Sequence, residues 1–366
     1  MPIHWRKHWV SDESFESAGV WDVDGDGVFD IVSGSFWYKG PDFRRKYFIG
    51  ATARYDEYYD DFSTIAMDVD GDGRLDIVTG GWWGDSLRWW QCPTDPTQPW
   101  QSHLLAARTS NVETTRAWDI DGDGVREIIA NTPNHATVTY YKISPVAPHA
   151  TAVPVYTFAE GTQGHGLGCG DIAGHGRMDI VLCHGWLEAP ANPASEPWQW
   201  HPEFTHAPWG NMASIPMLVV DVDGDGRNEL ITGHAHGYGL WWSKRQPDGT
   251  WQHHVIDPDN AQYHDLHWAD IDGDGVCELV TGKRHRAHNG RDVGEWDALG
   301  IYYFKWAGTH FVKQIIDYGV IGVGHGCGIH FALADLRGTG RLDLIAPGKD
   351  GLVVYYNEGA FAPPVT

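Results

Sequence analysis

An all-β repeat array of the propeller type is the fold this 366-residue sequence predicts, and one recurring motif carries the prediction. The motif is an aspartate-rich turn running into an apolar strand. Its copies are 22-DVDGDGVFDIVSG-34, 68-DVDGDGRLDIVTG-80, 119-DIDGDGVREIIAN-131, 171-DIAGHGRMDIVLC-183, 221-DVDGDGRNELITG-233, 270-DIDGDGVCELVTG-282 and 335-DLRGTGRLDLIAP-347. The first aspartates, called anchors below, step by 46, 51, 52, 50, 49 and 65 residues. That period marks repeat arrays and overrules the two or three domains that length alone suggests, so 1–366 is expected to be one domain.

Each copy has a physical reading. Aspartates at motif positions 1, 3 and 5, with glycines at 4 and 6, make a tight turn whose side chains converge, and an Asp or Glu at position 9 closes it. Hard oxygen ligands so placed suit Ca²⁺ or Mg²⁺, and without a cation the carboxylates would repel one another. The expected loop ligands are Asp22, Asp24, Asp26 and Asp30; Asp68, Asp70, Asp72 and Asp76; Asp119, Asp121, Asp123 and Glu127; Asp221, Asp223, Asp225 and Glu229; and Asp270, Asp272, Asp274 and Glu278. An EF-hand would need Glu at position 12, where these five copies carry Ser33, Thr79, Ala130, Thr232 and Thr281, so the loops are not EF-hands. Copies four and seven have Ala173 with His175 and Arg337 with Thr339 in ligand positions, and are expected to hold without metal or to bind it poorly.

The pattern D-x-D-G-D-G-x-x-[DE]-[IL]-[IV] resembles the FG-GAP/VCBS repeat over essentially the whole chain. The resemblance implies a four-stranded blade per copy, with the metal loop joining the innermost strand to the second, and hence a seven-bladed β-propeller. After the seventh loop only two more strands fit, around 342–346 and 351–356. Residues near 4–10 are therefore expected to supply the outer strand of the last blade and close the ring.

Composition narrows the function. The first ten residues contain no signal-peptide core and no segment approaches 18 apolar residues, so the expectation is a cytoplasmic protein with no membrane partner. In that compartment Mg²⁺ is the more abundant loop candidate. Five cysteines, an odd number, point to free thiols rather than a disulfide framework. With 26 basic against 49 acidic residues, nucleic acid is excluded as a partner. Nothing in the sequence sets the oligomeric state.

If the metal loops lie on one face, the loops after each second strand and before each anchor line the channel mouth on the other. Eleven of the 21 histidines fall in those segments: His135, His165, His184, His234, His236, His264, His267, His285, His288, His325 and His330. Repeats 1 and 2 contribute 35-SFWY-38, 55-YDEYYDDF-62 and 82-WWGD-85 instead, so one side of the mouth should be imidazole-rich and the other aromatic and acidic. Converging imidazoles can hold a transition metal or serve as general acid and base.

The runs 164-GHGLGCGDIAGHGRMDIVLCHGWLEAP-190, 263-YHDLHWADIDGDG-275, 283-KRHRAHNGRDVGEWDALGIYYFKW-306 and 324-GHGCGIHFALADLRGTGRLDLIAPGKDGL-352 resemble the propeller domain of the aldos-2-ulose dehydratase family, which eliminates water from keto-sugars such as 1,5-anhydrofructose. The resemblance implies a hydro-lyase of carbohydrate metabolism with a small sugar as substrate. The chemistry of that elimination draws channel metal ligands from His165, His264, His267 and His325, with Zn²⁺ or another divalent ion as the candidate. Acid, base or oxyanion roles fall to His184, His234, His236, His330, Tyr263, Arg116 and Lys283. The enzymatic alternative is a propeller-type polysaccharide lyase acting on uronate-containing glycans. The alternative from another class is a non-catalytic carbohydrate- or protein-binding VCBS propeller.

Overall fold

The computed structural model describes residues 2–147 and 149–360, so Met1, Pro148 and 361–366 of the expected 1–366 domain lie outside the described residues. Among the described residues every regular element longer than a turn is a strand, and no helix is long and apolar enough to cross a membrane.

Each repeat forms a four-stranded antiparallel meander. In repeat 3, Thr114–Trp118, Glu127–Asn131, Thr137–Ile143 and Ala150–Thr157 lie side by side in chain order. The second strand of every repeat, from Asp30–Ser33 to Asp343–Ala346, is buried along its whole length. This is why its sequence reads as a continuous apolar run rather than an alternation. Outer strands such as Gln101–Ala107 are largely exposed and polar. Beyond Leu352–Ala360, the third strand of repeat 7, lies Ile3–Ser11, paired antiparallel with Lys7 opposite Tyr355.

The expectation of seven separate blades needs correction. The meanders form five free-standing four-stranded sheets and one eight-stranded sheet, in which repeats 4 and 5 are joined by a parallel pairing of their innermost strands. Glycine is the physical cause. A Cβ on Gly168 would lie 2.2 Å from the Met217 carbonyl oxygen, and one on Gly170 2.5 Å from Val219, so only glycine lets the two strands touch. Each junction between consecutive repeats has its own apolar cluster. One packs Ile31 and Tyr38 of repeat 1 against Ile345 and Val354 of repeat 7 and completes the propeller-like ring.

The acid-rich turns are folded by their own peptide groups. Asp22 accepts the Gly25 and Gly27 N–H groups, both at 2.8 Å, and Asp30 accepts that of Val23 at 2.9 Å. Asp68, Asp221 and Asp270 repeat the anchor's pair of bonds. Gly25 and Gly27 sit at φ of 75° and 84°, a left-handed backbone that explains glycine at positions 4 and 6. All five cysteines are free thiols.

Candidate metal centre in the channel

The residues six positions before the anchors mark one recurring place in the repeat. In order these are Glu16, Phe62, Glu113, His165, Ile215, His264 and Ile329. Glu113, His165 and His264 converge with His236, which arrives from the turn after the second strand of repeat 5. One donor atom from each of the four lies within 4.8 Å of the others, and all four residues are buried.

The hydrogen bonds prepare these groups as ligands. His165 Nδ1 bonds the Ala213 carbonyl at 2.7 Å, and its buried Nε2 lies 3.4 Å from Glu113 Oε1 without a hydrogen-bond partner. His236 Nδ1 bonds Asp292 Oδ2 at 2.7 Å, the carboxylate–imidazole pairing that orients metal-binding histidines. His264 Nε2 lies 3.2 Å from Glu113 Oε1, and its Nδ1 is buried with no partner. Burial holds His264 well below the usual imidazole range and pushes His236 down to about 4, so both are neutral. For Glu113 burial favours the neutral acid, but the neighbouring His165 and His264 imidazoles and then the Arg284 charge outweigh it and hold the carboxyl well below its usual range. Neutral imidazoles, one carboxylate and two buried orphan nitrogens fit a divalent transition metal such as Zn²⁺.

Beside Glu113, the buried Arg284 guanidinium makes bonds of 2.9 and 3.2 Å to Glu16 and approaches Glu113 at 3.4 Å. A strap covers this centre. The hairpin of Arg54–Tyr55 and Tyr58–Tyr59 reaches the loop after the second strand of repeat 6. There Tyr58 donates to the Ala287 carbonyl at 2.7 Å, Asn289 donates to Asp56 at 2.8 Å, and Arg286 pairs with Glu57 at 2.7 Å. Tyr55 and Trp83 stack beside it at 4.7 Å and are exposed.

The remaining sequence candidates do not join the centre. His267 is three residues before its anchor and lies deeper, 4.2 Å from the Phe331 ring and 3.5 Å from Asp265. His325, ten residues before its anchor, turns away from the channel to pack against Trp9 and bonds the Gly326 carbonyl at 2.6 Å. Arg116 is spent on Asp265 at 2.9 Å and on the Ile215 carbonyl. Tyr263 donates to Asp257 at 2.8 Å inside the junction of repeats 5 and 6, and Lys283 donates to the Gly294 carbonyl. His184 packs against Phe158 and Trp200, next to the Cys183 thiol. His234 accepts the His236 N–H at 3.3 Å and so supports the centre from its edge. Sequence reasoning missed Glu113, Glu16, Arg284, Asp292 and Asp265. The shared offset of six from the anchor would have found the first two.

His330, five residues before its anchor, accepts the Thr64 N–H at 3.3 Å, and burial, then Arg116, push its imidazole down to about 3. The unfolded chain takes up this proton near pH 6.5 and the folded one does not. The contribution of neutral His330 to stability is therefore complete above about pH 6.5 and is lost as the pH falls toward 3. His330→Asn keeps an acceptor for Thr64 and should flatten the acid limb of a melting-temperature profile taken between about pH 7 and 4. Parallel profiles for the two proteins would show that His330 does not set it.

Comparison with known proteins agrees on architecture. Residues 221–281 match the FG-GAP-like repeat family. A search of curated proteins finds no match. Among solved structures, rhamnogalacturonan lyase YesW is similar at 14% identity over 98% of this chain and 75% of its own, with a TM-score of 0.49. BBS1N, crystallised in complex with ARL6DN, is similar at 10% identity over 99% of both chains, with a TM-score of 0.56. The chain is thus an all-β, propeller-like ring carrying an FG-GAP-like repeat.

Proposed function

We propose that this protein is a carbon–oxygen lyase that eliminates water from a keto-sugar such as 1,5-anhydrofructose or an aldos-2-ulose. The observation that carries the reading is the buried centre of three imidazoles and Glu113 beneath the strap. A divalent ion held there would act as a Lewis acid on the substrate carbonyl. Asp292 holds His236 in one tautomer, and His165 and His264, followed by Arg284, favour the ionised form of Glu113. His288 stacks on His236 at 4.1 Å, shares Asp292 with it, and is half-exposed at the mouth. It is the imidazole placed to take the proton from the carbon beside the carbonyl. The electron pair forms the new double bond, and the β-hydroxyl leaves with a proton as water.

A second reading, a lyase for uronate-containing glycans, draws support from the exposed Tyr55–Trp83 stack, which offers a longer chain an aromatic platform. One assay separates them. Given 1,5-anhydrofructose and a divalent metal, the protein should form an enone absorbing in the near ultraviolet. A panel of keto-sugars that yields none, together with cleavage of a uronate polysaccharide, replaces the first reading with the second.

A further inference from the structure

The aspartate loops present a repeated disagreement with the metal their motif implies. In repeat 1, Lys39 of the third strand pairs with Asp24 and, at 2.7 Å, with Asp26. In repeat 3, Lys142 pairs with Asp121 at 2.5 Å and Asp123 at 2.7 Å. In repeat 5, Lys244 pairs with Asp223, with Asp225 at 2.7 Å and with Glu229 at 3.2 Å. In repeat 6, Lys305 pairs with Asp272, with Asp274 at 2.9 Å and with Glu278 at 3.1 Å. Every ammonium sits among the carboxylates of motif positions 3 and 5, and in repeats 3, 5 and 6 position 9 as well, where a divalent ion would be ligated.

We infer that in repeats 1, 3, 5 and 6 this third-strand lysine is the resident cation of the loop, and that these four loops take no divalent ion. The argument is electrostatic. Three or four carboxylates on one turn need a counter-charge. A lysine in the same chain supplies it at the high effective concentration of a tethered group, which a free ion must displace against charge repulsion. Position-9 oxygens that lack a hydrogen bond, Glu229 Oε1 and Glu278 Oε1, are still within ion-pair reach of the ammonium.

The three loops without this lysine carry a base of their own. His175 stands 3.5 Å from both Asp171 and Asp179, and Arg337 bonds Asp343 at 3.0 Å, so each of the two loops that lack the aspartates of positions 3 and 5 carries a basic side chain inside the turn. In repeat 2, Gln91 stands at the lysine's place and donates to Asp70 at 2.5 Å, while Arg74 pairs only with Asp72. That loop holds no lysine among its carboxylates, the arrangement that calcium or magnesium would require.

The test counts ions. Chelator-stripped wild-type protein and Asp223→Asn should take up the same number of calcium ions in a calorimetric titration. Lys244→Gln, which copies the glutamine of repeat 2, should take up one more, and calcium should raise its melting temperature by a few degrees beyond any effect on wild type. Lys305→Gln repeats the experiment in a second loop, so that poor folding of one variant leaves the other to decide. The inference is overturned if Asp223→Asn binds one ion fewer than wild type, or if neither glutamine variant gains a site.

Discussion

His165→Ala and His264→Ala proteins are expected to lose the channel metal and at least about two orders of magnitude of turnover, while His325→Ala keeps both. The first two remove nitrogens from the cluster around Glu113, where His165 Nε2 and His264 Nδ1 have no other hydrogen-bond partner. Neither side chain anchors an apolar cluster, so melting should move little once metal loss is allowed for. His325 is as buried as His264 but differs in its partners, being packed on Trp9 and bonded to backbone carbonyls away from the cluster. Its truncation should cost about 1–3 kcal/mol of stability and leave turnover per folded molecule intact. Metal content, turnover and melting temperature measured on all three variants decide the matter. A His165→Ala protein that retains stoichiometric channel metal would remove the centre from this account.

Arg116→Met should be the most destabilising single change in the channel, costing about 3–5 kcal/mol. Arg116 and Asp265 are both buried and pair at 2.9 Å, and Asp265 also accepts the Phe331 N–H at 2.8 Å. Burial favours the neutral acid, yet the Arg116 charge, followed by His267, holds the Asp265 carboxyl down at about 2. Removing the guanidinium leaves that charge unpaired between repeats 3, 6 and 7. The double variant Arg116→Met/Asp265→Leu should recover much of the loss, because a buried pair replaced by apolar groups is often neutral. A denaturant midpoint and the turnover of the folded fraction read both effects. An Arg116→Met protein as stable as wild type but inactive would return Arg116 to the catalytic role that its sequence position suggested.

The repeat and its strands were legible because the signal is written in consecutive residues. The second strands are apolar throughout and the turns are spelled by aspartate and glycine, so local pattern and structure coincide. The joining of repeats 4 and 5 was not legible as a sheet, since it depends on what Gly168 and Gly170 lack rather than on what they display. For the channel, His165 and His264 could be singled out from composition, but grouping them with His267 and His325 failed. Place in the repeat is set by offset from the anchor, and those two sit at offsets of three and ten rather than six. Glu113 was hidden for the same reason: a lone glutamate in 113-ETTRAWD-119 carries no local signal until it is aligned with the histidines at the same offset. His236, Asp292 and Arg284 come from irregular turns, where sequence distance says little about direction.

The pairing of Ile3–Ser11 with Leu352–Ala360 also has a consequence for the order of assembly. Ile3–Ser11 is synthesised before its partner and is seated only once Leu352–Ala360 exists, so ring closure unites segments that are far apart in sequence. The entropy of that closure grows only slowly with length, by about 0.6 kcal/mol per doubling, and is a small part of the equilibrium. Its weight falls on kinetics, where contacts of such long range slow folding. Until they form, Leu352–Ala360 presents an unpaired backbone edge to any other strand, including one from a neighbouring nascent chain.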